Sequence, residues 1–273
     1  MRYRKVFMRI VPAGFFIAVF SLLNMNLSAR PNSRHKETTE TVRPVRIVAF
    51  GDSTTEVWSE DIEQMYVQRL GPALAVRGFN VELINSGVSN HTTEDARARF
   101  EKDVRSYRPD VVIIWFGIND SWIDADYGAT EPRLTRDQYR QNLLYFIHTL
   151  KKDGAQIILM TPNPMRWSDE YRKIFDTEKH LLDVNEIRGI NRLLDLYAQD
   201  VRDISRAERV VLIDVHKCFE DYGRKPGQSV DDLLLSDGIH PNDEGHILIT
   251  GLLADRISLL LENMKSGDII LNS

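Results

Sequence analysis

Short apolar runs alternate with amphipathic stretches along the chain from Val45 onward. The runs are continuous and rich in β-branched residues, which is typical of strands in a parallel sheet that is covered on both faces. Five such strands are predicted, at residues 45–50, 79–84, 111–116, 155–160 and 210–214. The run at 111–116 is the most apolar, so we expect it at the centre of the sheet.

The stretches between these runs have helical spacing. Tyr66, Leu70 and Leu74 fall on one face of the first helix, and Thr92 with Asp95 forms a capping box at the start of the second. Helices are predicted at residues 61–77, 92–108, 135–152, 184–206 and 242–264. Strands separated by helices predict an α/β fold, with a parallel sheet, helices on both faces and right-handed crossovers.

The beginning of the chain has a different pattern. Basic residues precede an apolar run at 10–23, and Leu27-Ser28-Ala29 follows it, which is typical of an export signal. The run is shorter than the roughly 18 residues of a spanning helix, and Pro12 interrupts it. We predict a signal peptide at 1–29, with an uncleaved anchor as the alternative.

The rest of the chain then divides into three parts: a polar linker at 30–44, one domain at 45–265 and a C-terminal tail at 266–273. Export would place the protein in a bacterial periplasm or outside the cell, or hold it at a membrane through its N-terminal segment. The lone cysteine, Cys218, excludes an intrachain disulfide and favours a bacterial envelope over eukaryotic secretion.

Composition narrows the function classes. The 273 residues carry 35 Lys plus Arg against 40 Asp plus Glu, a net charge of −5, so no nucleic-acid partner is expected. Hydrophobic residues make up 42% and charged residues 27%, which excludes a disordered, collagen-like or multi-span membrane protein. No membrane partner is expected beyond the N-terminal segment.

Polar motifs follow the predicted strands at their carboxyl ends, where ligands bind in such folds. Ser53, in Gly51-Asp52-Ser53-Thr54, sits on a tight turn after the first strand and is a candidate nucleophile. A serine hydroxyl needs a base to take its proton, and His240 can serve as that base with Asp237 orienting its ring. The Asn119 amide and the backbone N–H groups of Ser53 and Asn90 are candidate oxyanion donors.

Alternatives remain for several of these residues. The Ser53 loop could cradle a phosphate in a nucleotide- or flavin-binding protein, but that leaves Asp237 and His240 without a role. Asp52 and Asp120 are predicted to form hydrogen bonds within turns rather than to act in catalysis.

Three long loops, at 121–134, 163–183 and 223–236, are candidate substrate walls. Trp122 and Trp167 fall in the first two and are candidate substrate-binding residues, because their rings could stack on a sugar. Packing of the loops onto the core is the alternative use of these tryptophans. His91 is a candidate substrate contact or a plain loop residue.

Four segments resemble, in order and spacing, those of the SGNH (GDSL) hydrolase family, a resemblance that extends over about residues 45–265: residues 51–55, 85–91, 117–120 and 237–241. The resemblance implies a flavodoxin-like three-layer α/β/α sandwich with strand order 2-1-3-4-5 and a serine esterase that uses no metal or cofactor. It also implies that Ser53 is the nucleophile, that Asp237 and His240 complete the triad and that Asn119 is the side-chain oxyanion donor.

One position departs from the family pattern, because Asn90 replaces the usual glycine. The donor there is a backbone group, which the replacement keeps, and asparagine tolerates a left-handed backbone. We therefore expect an intact oxyanion hole and a small acyl site.

The function predicted from these features is hydrolysis of carboxylic esters through an acyl-enzyme. By analogy with family members that carry Gly-Asp-Ser-Thr and deacetylate plant polysaccharides, the substrate is predicted to be a carbohydrate O-acetyl ester or another small ester. The alternatives are a lysophospholipase or general short-chain esterase, and, in another class, a non-catalytic carbohydrate- or lipid-binding module.

Overall fold

The computed structural model describes residues 43–56, 61–176, 182, 185 and 189–266. The predicted signal peptide, the linker up to residue 42 and the tail from residue 267 lie outside the described residues. Among the described residues, no helix is both long enough and apolar enough to cross a membrane.

The sheet has five parallel strands in the order β2-β1-β3-β4-β5, as the family resemblance implied, with β3 at the centre. The strands are β1 Val45–Gly51, β2 Val81–Gly87, β3 Val111–Trp115, β4 Gln156–Met160 and β5 Val211–Ile213. The helices are α1 Tyr66–Val76, α2 Thr93–Asp103, α3 Ile118–Ser121, α4 Arg136–Lys152, α5 Asp169–Asp176, α6 Leu194–Glu208, α7 Val215–Gly223 and α8 Asp243–Ser266. The α/β/α fold predicted from the apolar runs is therefore confirmed.

Two hydrophobic cores lie on opposite faces of the sheet, because successive side chains of a strand point in opposite directions. Ile47 and Ala49 of β1 belong to the core shared with α1, α7 and α8. Val48 and Phe50 belong to the core shared with α2, α4 and α6. All four side chains are fully buried, so β1 forms a rigid base for the turn that follows it.

Several predicted helix boundaries were wrong. The first helix begins at Tyr66 rather than at 61, because the Asp243 carboxylate accepts hydrogen bonds from the N–H groups of Glu63 and Gln64 at 2.9 and 3.2 Å. The helix predicted at 184–206 gives α6, which begins at Leu194.

Three helices were not predicted at all: α3, α5 and α7. Helix α5 lies inside a stretch expected to be a loop. Helix α7 begins directly after Asp214, whose side chain caps it by accepting from the N–H of Lys217. The capping box of Thr92 and Asp95 at the start of α2 was correctly predicted.

Candidate active site

The turn after β1 presents Ser53 at the carboxyl edge of the sheet. Oδ1 of the buried Asp52 accepts hydrogen bonds from the N–H and the hydroxyl of Thr54 at 2.9 and 2.8 Å, which is the turn-forming role predicted for it. Gly51 must lack a side chain, because a Cβ there would lie 2.1 Å from Oγ1 of Thr55 and 2.8 Å from the carbonyl oxygen of Trp115. The sequence around Ser53 thus fixes one tight conformation.

A chain of hydrogen bonds links three side chains that the sequence analysis selected. Oγ of Ser53 lies 2.8 Å from Nε2 of His240, although the two residues are 187 positions apart. Nδ1 of His240 lies 2.7 Å from Oδ2 of Asp237. A base that contacts a hydroxyl on one side and a carboxylate on the other can activate that hydroxyl as a nucleophile.

Asp237 also organises the turn that carries His240. Its Oδ1 accepts hydrogen bonds from the N–H groups of Ile239 and His240 at 2.7 and 3.0 Å. Gly238 has a φ of +75°, and a Cβ there would lie 2.3 Å from the carbonyl oxygen of Arg166. Glycine is therefore required between the acid and the base.

The protonation state of Asp237 suits this arrangement. Partial burial acts to raise the pKa of Asp237, but the hydrogen bonds from His240 and from the Ile239 N–H outweigh it and hold the pKa below its ordinary value. The carboxylate is consequently ionised at neutral pH and can stabilise a protonated imidazole.

Two asparagines, Asn90 and Asn119, line the same cavity as Ser53. Asn90 has a φ of +65°, the left-handed conformation expected of it. Nδ2 of Asn119 donates to the carbonyl oxygen of His91 at 3.2 Å. One guanidinium nitrogen of Arg133 donates to Oδ1 of both asparagines, at 2.7 Å to Asn90 and 3.3 Å to Asn119.

Arg133 was not selected from the sequence. It lies in the loop at 121–134, which is a predicted substrate wall, and nothing in its local sequence distinguishes it from the other arginines of the chain. Its role depends on how that loop folds over the site.

A cleft of about 430 Å³ opens above Ser53 and His240. Two of the three long loops contribute to its wall, at 121–134 and 163–183, whereas no residue of the loop at 223–236 does so. Apart from Ser53, Ser89, the asparagines and His240, the wall combines aromatic, apolar and charged side chains: Trp122, Tyr127, Tyr171, Ile118, Ile174, Ile239, Asp124, Asp126, Glu170 and Arg133. The Trp122 and Tyr171 rings meet edge to face, with centroids 4.9 Å apart.

Two of the predicted substrate-binding residues do not border this cleft. Nδ1 of His91 accepts a hydrogen bond from Nε of Arg99 at 3.1 Å. The Trp167 ring packs on Phe175, with centroids 5.8 Å apart, which is the loop-packing alternative. Only Trp122 of the three predicted contacts lines the cleft.

No cluster of three or more His, Cys, Asp or Glu side chains in the described part of the chain has the arrangement needed to hold a metal ion.

Beneath the site lies a second buried carboxyl group. Asp120 is fully buried, and its Oδ1 accepts hydrogen bonds from the N–H and the hydroxyl of Thr93 at 2.9 and 2.5 Å. Burial raises the pKa of Asp120 to about 7, although the Thr93 hydrogen bonds act in the opposite direction. The Asp120 side chain thus joins α3 to α2. The prediction that it forms a hydrogen bond within its own turn was wrong.

We expect Asp120→Asn to remove a pH dependence of stability. Because the folded state holds this proton more tightly than the unfolded state, the contribution of Asp120 to the free energy of unfolding falls as pH rises from about 4 to about 7. The fall attributable to Asp120 is about 4 kcal/mol at most. Asparagine keeps the acceptor for Thr93 and cannot ionise. The free energy of unfolding of the variant should therefore rise relative to that of the wild type between about pH 4 and about pH 7.

Urea denaturation at pH 4 and pH 7 measures this difference. Asp203→Asn, which replaces an exposed carboxylate, is the control and should keep a constant offset from the wild type. A constant offset for Asp120→Asn as well would contradict the assignment.

The chain is similar in sequence to a known protein family and to several known proteins. The pattern of the GDSL-like lipase/acylhydrolase family matches residues 49–248. An uncharacterized lipoprotein of Bacillus subtilis is 30% identical over 230 residues, covering 82% of this chain and 89% of the relative. An acetylxylan esterase of Geobacillus stearothermophilus is 27% identical over 184 residues, covering 67% of this chain and 73% of the relative.

Among solved structures, the lipase/acylhydrolase from Enterococcus faecalis is 30% identical, with a TM-score of 0.58. The match covers 78% of this chain and 95% of that one.

Proposed function

Because the chain belongs to the GDSL-like lipase/acylhydrolase family and is a carboxylic ester hydrolase, we propose that Ser53, His240 and Asp237 form its catalytic triad. We further propose that it removes short acyl groups, acetyl above all, from carbohydrates. The observation that carries the triad is the continuous hydrogen-bonded chain from Ser53 through His240 to Asp237 at the base of a cleft.

The reaction proceeds in two halves. Oγ of Ser53 attacks the ester carbonyl while its proton passes to Nε2 of His240, and Asp237 stabilises the imidazolium. The negative charge on the carbonyl oxygen is stabilised by the N–H groups of Ser53 and Asn90 and by the Asn119 amide. His240 then gives its proton to the leaving alcohol, which leaves an acyl group on Ser53. Water, activated by His240, hydrolyses that acyl-enzyme.

The cleft wall supports a carbohydrate as the alcohol part of the ester. Trp122, Tyr127 and Tyr171 offer flat apolar surfaces with polar edges, which suit the face of a sugar ring. Asp126 and Glu170 offer carboxylate oxygens that accept hydrogen bonds from hydroxyl groups. The similarity to an acetylxylan esterase points to the same class of substrate.

The same wall argues against phosphorylated ligands. The wall carries three carboxylates, Asp124, Asp126 and Glu170, against one guanidinium, that of Arg133, which is paired with Asp124. Such a surface repels the phosphate of a nucleotide, a flavin or an anionic lysophospholipid. It therefore favours a neutral ester over the lysophospholipase and phosphate-cradle alternatives.

An exported or membrane-anchored location is consistent with the similarity to a lipoprotein. We propose export to the periplasm or the extracellular space, where acetylated polysaccharides too large for uptake would be accessible. The predicted signal at 1–29 supports this location.

A substrate panel tests the proposed specificity. We expect kcat/KM for p-nitrophenyl acetate to exceed that for the octanoate by at least about tenfold, because Asn90 narrows the acyl site. Acetylated xylo-oligosaccharides should be hydrolysed faster than lysophosphatidylglycerol. In Asp126→Asn/Glu170→Gln the discrimination against the anionic lipid should shrink, by roughly fivefold for each charge if each contributes about 1 kcal/mol. A preference for octanoate or for the lysophospholipid would contradict the proposal.

A further inference from the structure

We propose that Arg133 is a positioning residue for the oxyanion hole: it orients the Asn119 amide, polarises it, and keeps the Asn90 side chain away from the hole. The inference rests on the proposed ester hydrolysis at Ser53, and it concerns a residue that lies outside the triad and the predicted oxyanion donors.

The guanidinium of Arg133 is held from two directions. Its Nε and one terminal nitrogen donate to the Asp124 carboxylate at 2.9 and 2.7 Å, which fixes the plane of the group. Its other terminal nitrogen donates to the side-chain oxygens of Asn90 and Asn119. One planar cation thus connects both asparagines to a single anchored carboxylate.

The backbone around Arg133 is fixed as well. The backbone N–H of Arg133 donates to the carbonyl oxygen of Trp122 at 2.9 Å. The N–H of Leu134 donates to the carbonyl oxygen of Asp120 at 3.1 Å. The Leu134 carbonyl in turn accepts a hydrogen bond from the hydroxyl of Tyr197. These contacts anchor the end of the loop to α3 and α6, so the guanidinium can hold a defined position relative to Ser53.

For Asn119, the contact with Arg133 decides which way the amide faces. An amide can exchange the positions of its oxygen and nitrogen by rotating half a turn, and only the nitrogen can donate to an oxyanion. Here the oxygen faces a cationic donor and the nitrogen donates to the His91 carbonyl oxygen. The reversed amide would oppose nitrogen to guanidinium and oxygen to carbonyl. The second N–H of the nitrogen is therefore available to the substrate.

The cation also strengthens this donor. A positive group bound to the oxygen of an amide withdraws electron density from it, so the N–H groups of the same amide become better donors. The effect is largest when negative charge develops on the substrate oxygen, which happens in the transition state rather than in the bound ester. We therefore expect Arg133 to act mainly on kcat.

For Asn90, the contact explains how a side chain can stand where the family usually has glycine. The backbone N–H of Asn90 is the proposed donor, and the side chain branches from the Cα that is bonded to this nitrogen. The 2.7 Å hydrogen bond to Arg133 holds the side-chain oxygen away from that N–H. Asn90 and Arg133 thus form a matched pair.

A double-mutant cycle tests the inference with p-nitrophenyl acetate. Arg133→Met is expected to lower kcat about 10- to 100-fold while KM changes less than about threefold. In the Asn90→Gly/Asn119→Ala background the same substitution should lower kcat less than about threefold, because both side chains through which it acts are gone. Arg133→Lys keeps the charge and one donor nitrogen, so it should recover part of the lost kcat.

Arg105→Met is the matched control. Arg105 binds Asp153 through Nε and a terminal nitrogen at 2.7 and 2.9 Å, the same bidentate geometry as Arg133 with Asp124, but away from the cleft. Its loss should leave kcat unchanged.

Three outcomes would overturn the inference: an unchanged kcat in Arg133→Met, an equal fold-loss in both backgrounds, or an equal loss in Arg105→Met. If the wild type shows no esterase activity, or if its activity does not depend on Ser53, the proposed function itself is contradicted.

Discussion

Ser53→Ala is expected to lower kcat for p-nitrophenyl acetate by a factor on the order of 10⁵ and to abolish labelling by a fluorophosphonate probe. The substitution removes only the hydroxyl group of Ser53, which lies 2.8 Å from Nε2 of His240 and is the nucleophile of the proposed covalent step. The turn itself depends on Asp52 and Gly51, so the variant should fold as the wild type does.

Mass spectrometry of the labelled protein and steady-state kinetics measure these effects. Ser106→Ala is the control, since the Ser106 hydroxyl donates to the Lys102 carbonyl oxygen on an exposed surface, and it should label like the wild type. Labelling that persists in Ser53→Ala would identify another nucleophile. Folded wild-type protein that takes no label would favour the non-catalytic binding module.

Asp237→Asn is expected to lower kcat by about 10³- to 10⁴-fold with little change in the melting temperature. Asparagine keeps an oxygen for the N–H groups of Ile239 and His240, so the turn survives. Its NH₂ group would face Nδ1 of His240 and stabilise the tautomer in which Nε2 carries the proton. That tautomer cannot accept the proton of Ser53.

Kinetics over pH and a thermal melt separate the loss of chemistry from unfolding. Asp255→Asn is the control, because the Asp255 side chain is 73% exposed and pairs with Arg77 on the surface. A loss of less than about tenfold in Asp237→Asn would mean that Asp237 does not hold the imidazole in the way proposed.

The sheet could be predicted because the information for it is local. Each parallel strand is covered on both faces, so it appears in the sequence as a continuous apolar run. The start of α1 could not be predicted, since the N–H groups of Glu63 and Gln64 are bound by Asp243, which is distant in the sequence. Helix α7 could have been found from Asp214 as a cap and from buried Val215 and Phe219 at helical spacing.

The residues of the candidate site also fall into those that local sequence could predict and those that it could not. Ser53, Asp237 and His240 could be selected because each motif follows a strand end or precedes a helix, although their catalytic roles stay predictions. Arg133 and Asp124 could not be selected, because their contact with the asparagines depends on the path of a long loop.

Trp122 and Trp167 are chemically alike in the sequence, and only the tertiary structure shows which of them faces the cleft. Residue type alone cannot indicate such an orientation.

The turn at 237–240 has a consequence for how this protein can diverge. Because one carboxylate holds both its own turn and the histidine ring, the acid and the base move as one unit at the start of α8. The triad then depends on a single long-range alignment, between that turn and the turn after β1. Insertions or deletions between Asp124 and Arg133, or after Arg166 in the loop at 163–183, can reshape the cleft while Arg133 keeps its contacts with the asparagines and Arg166 keeps its contact with Gly238. Substrate preference is thereby free to change while the reaction stays the same.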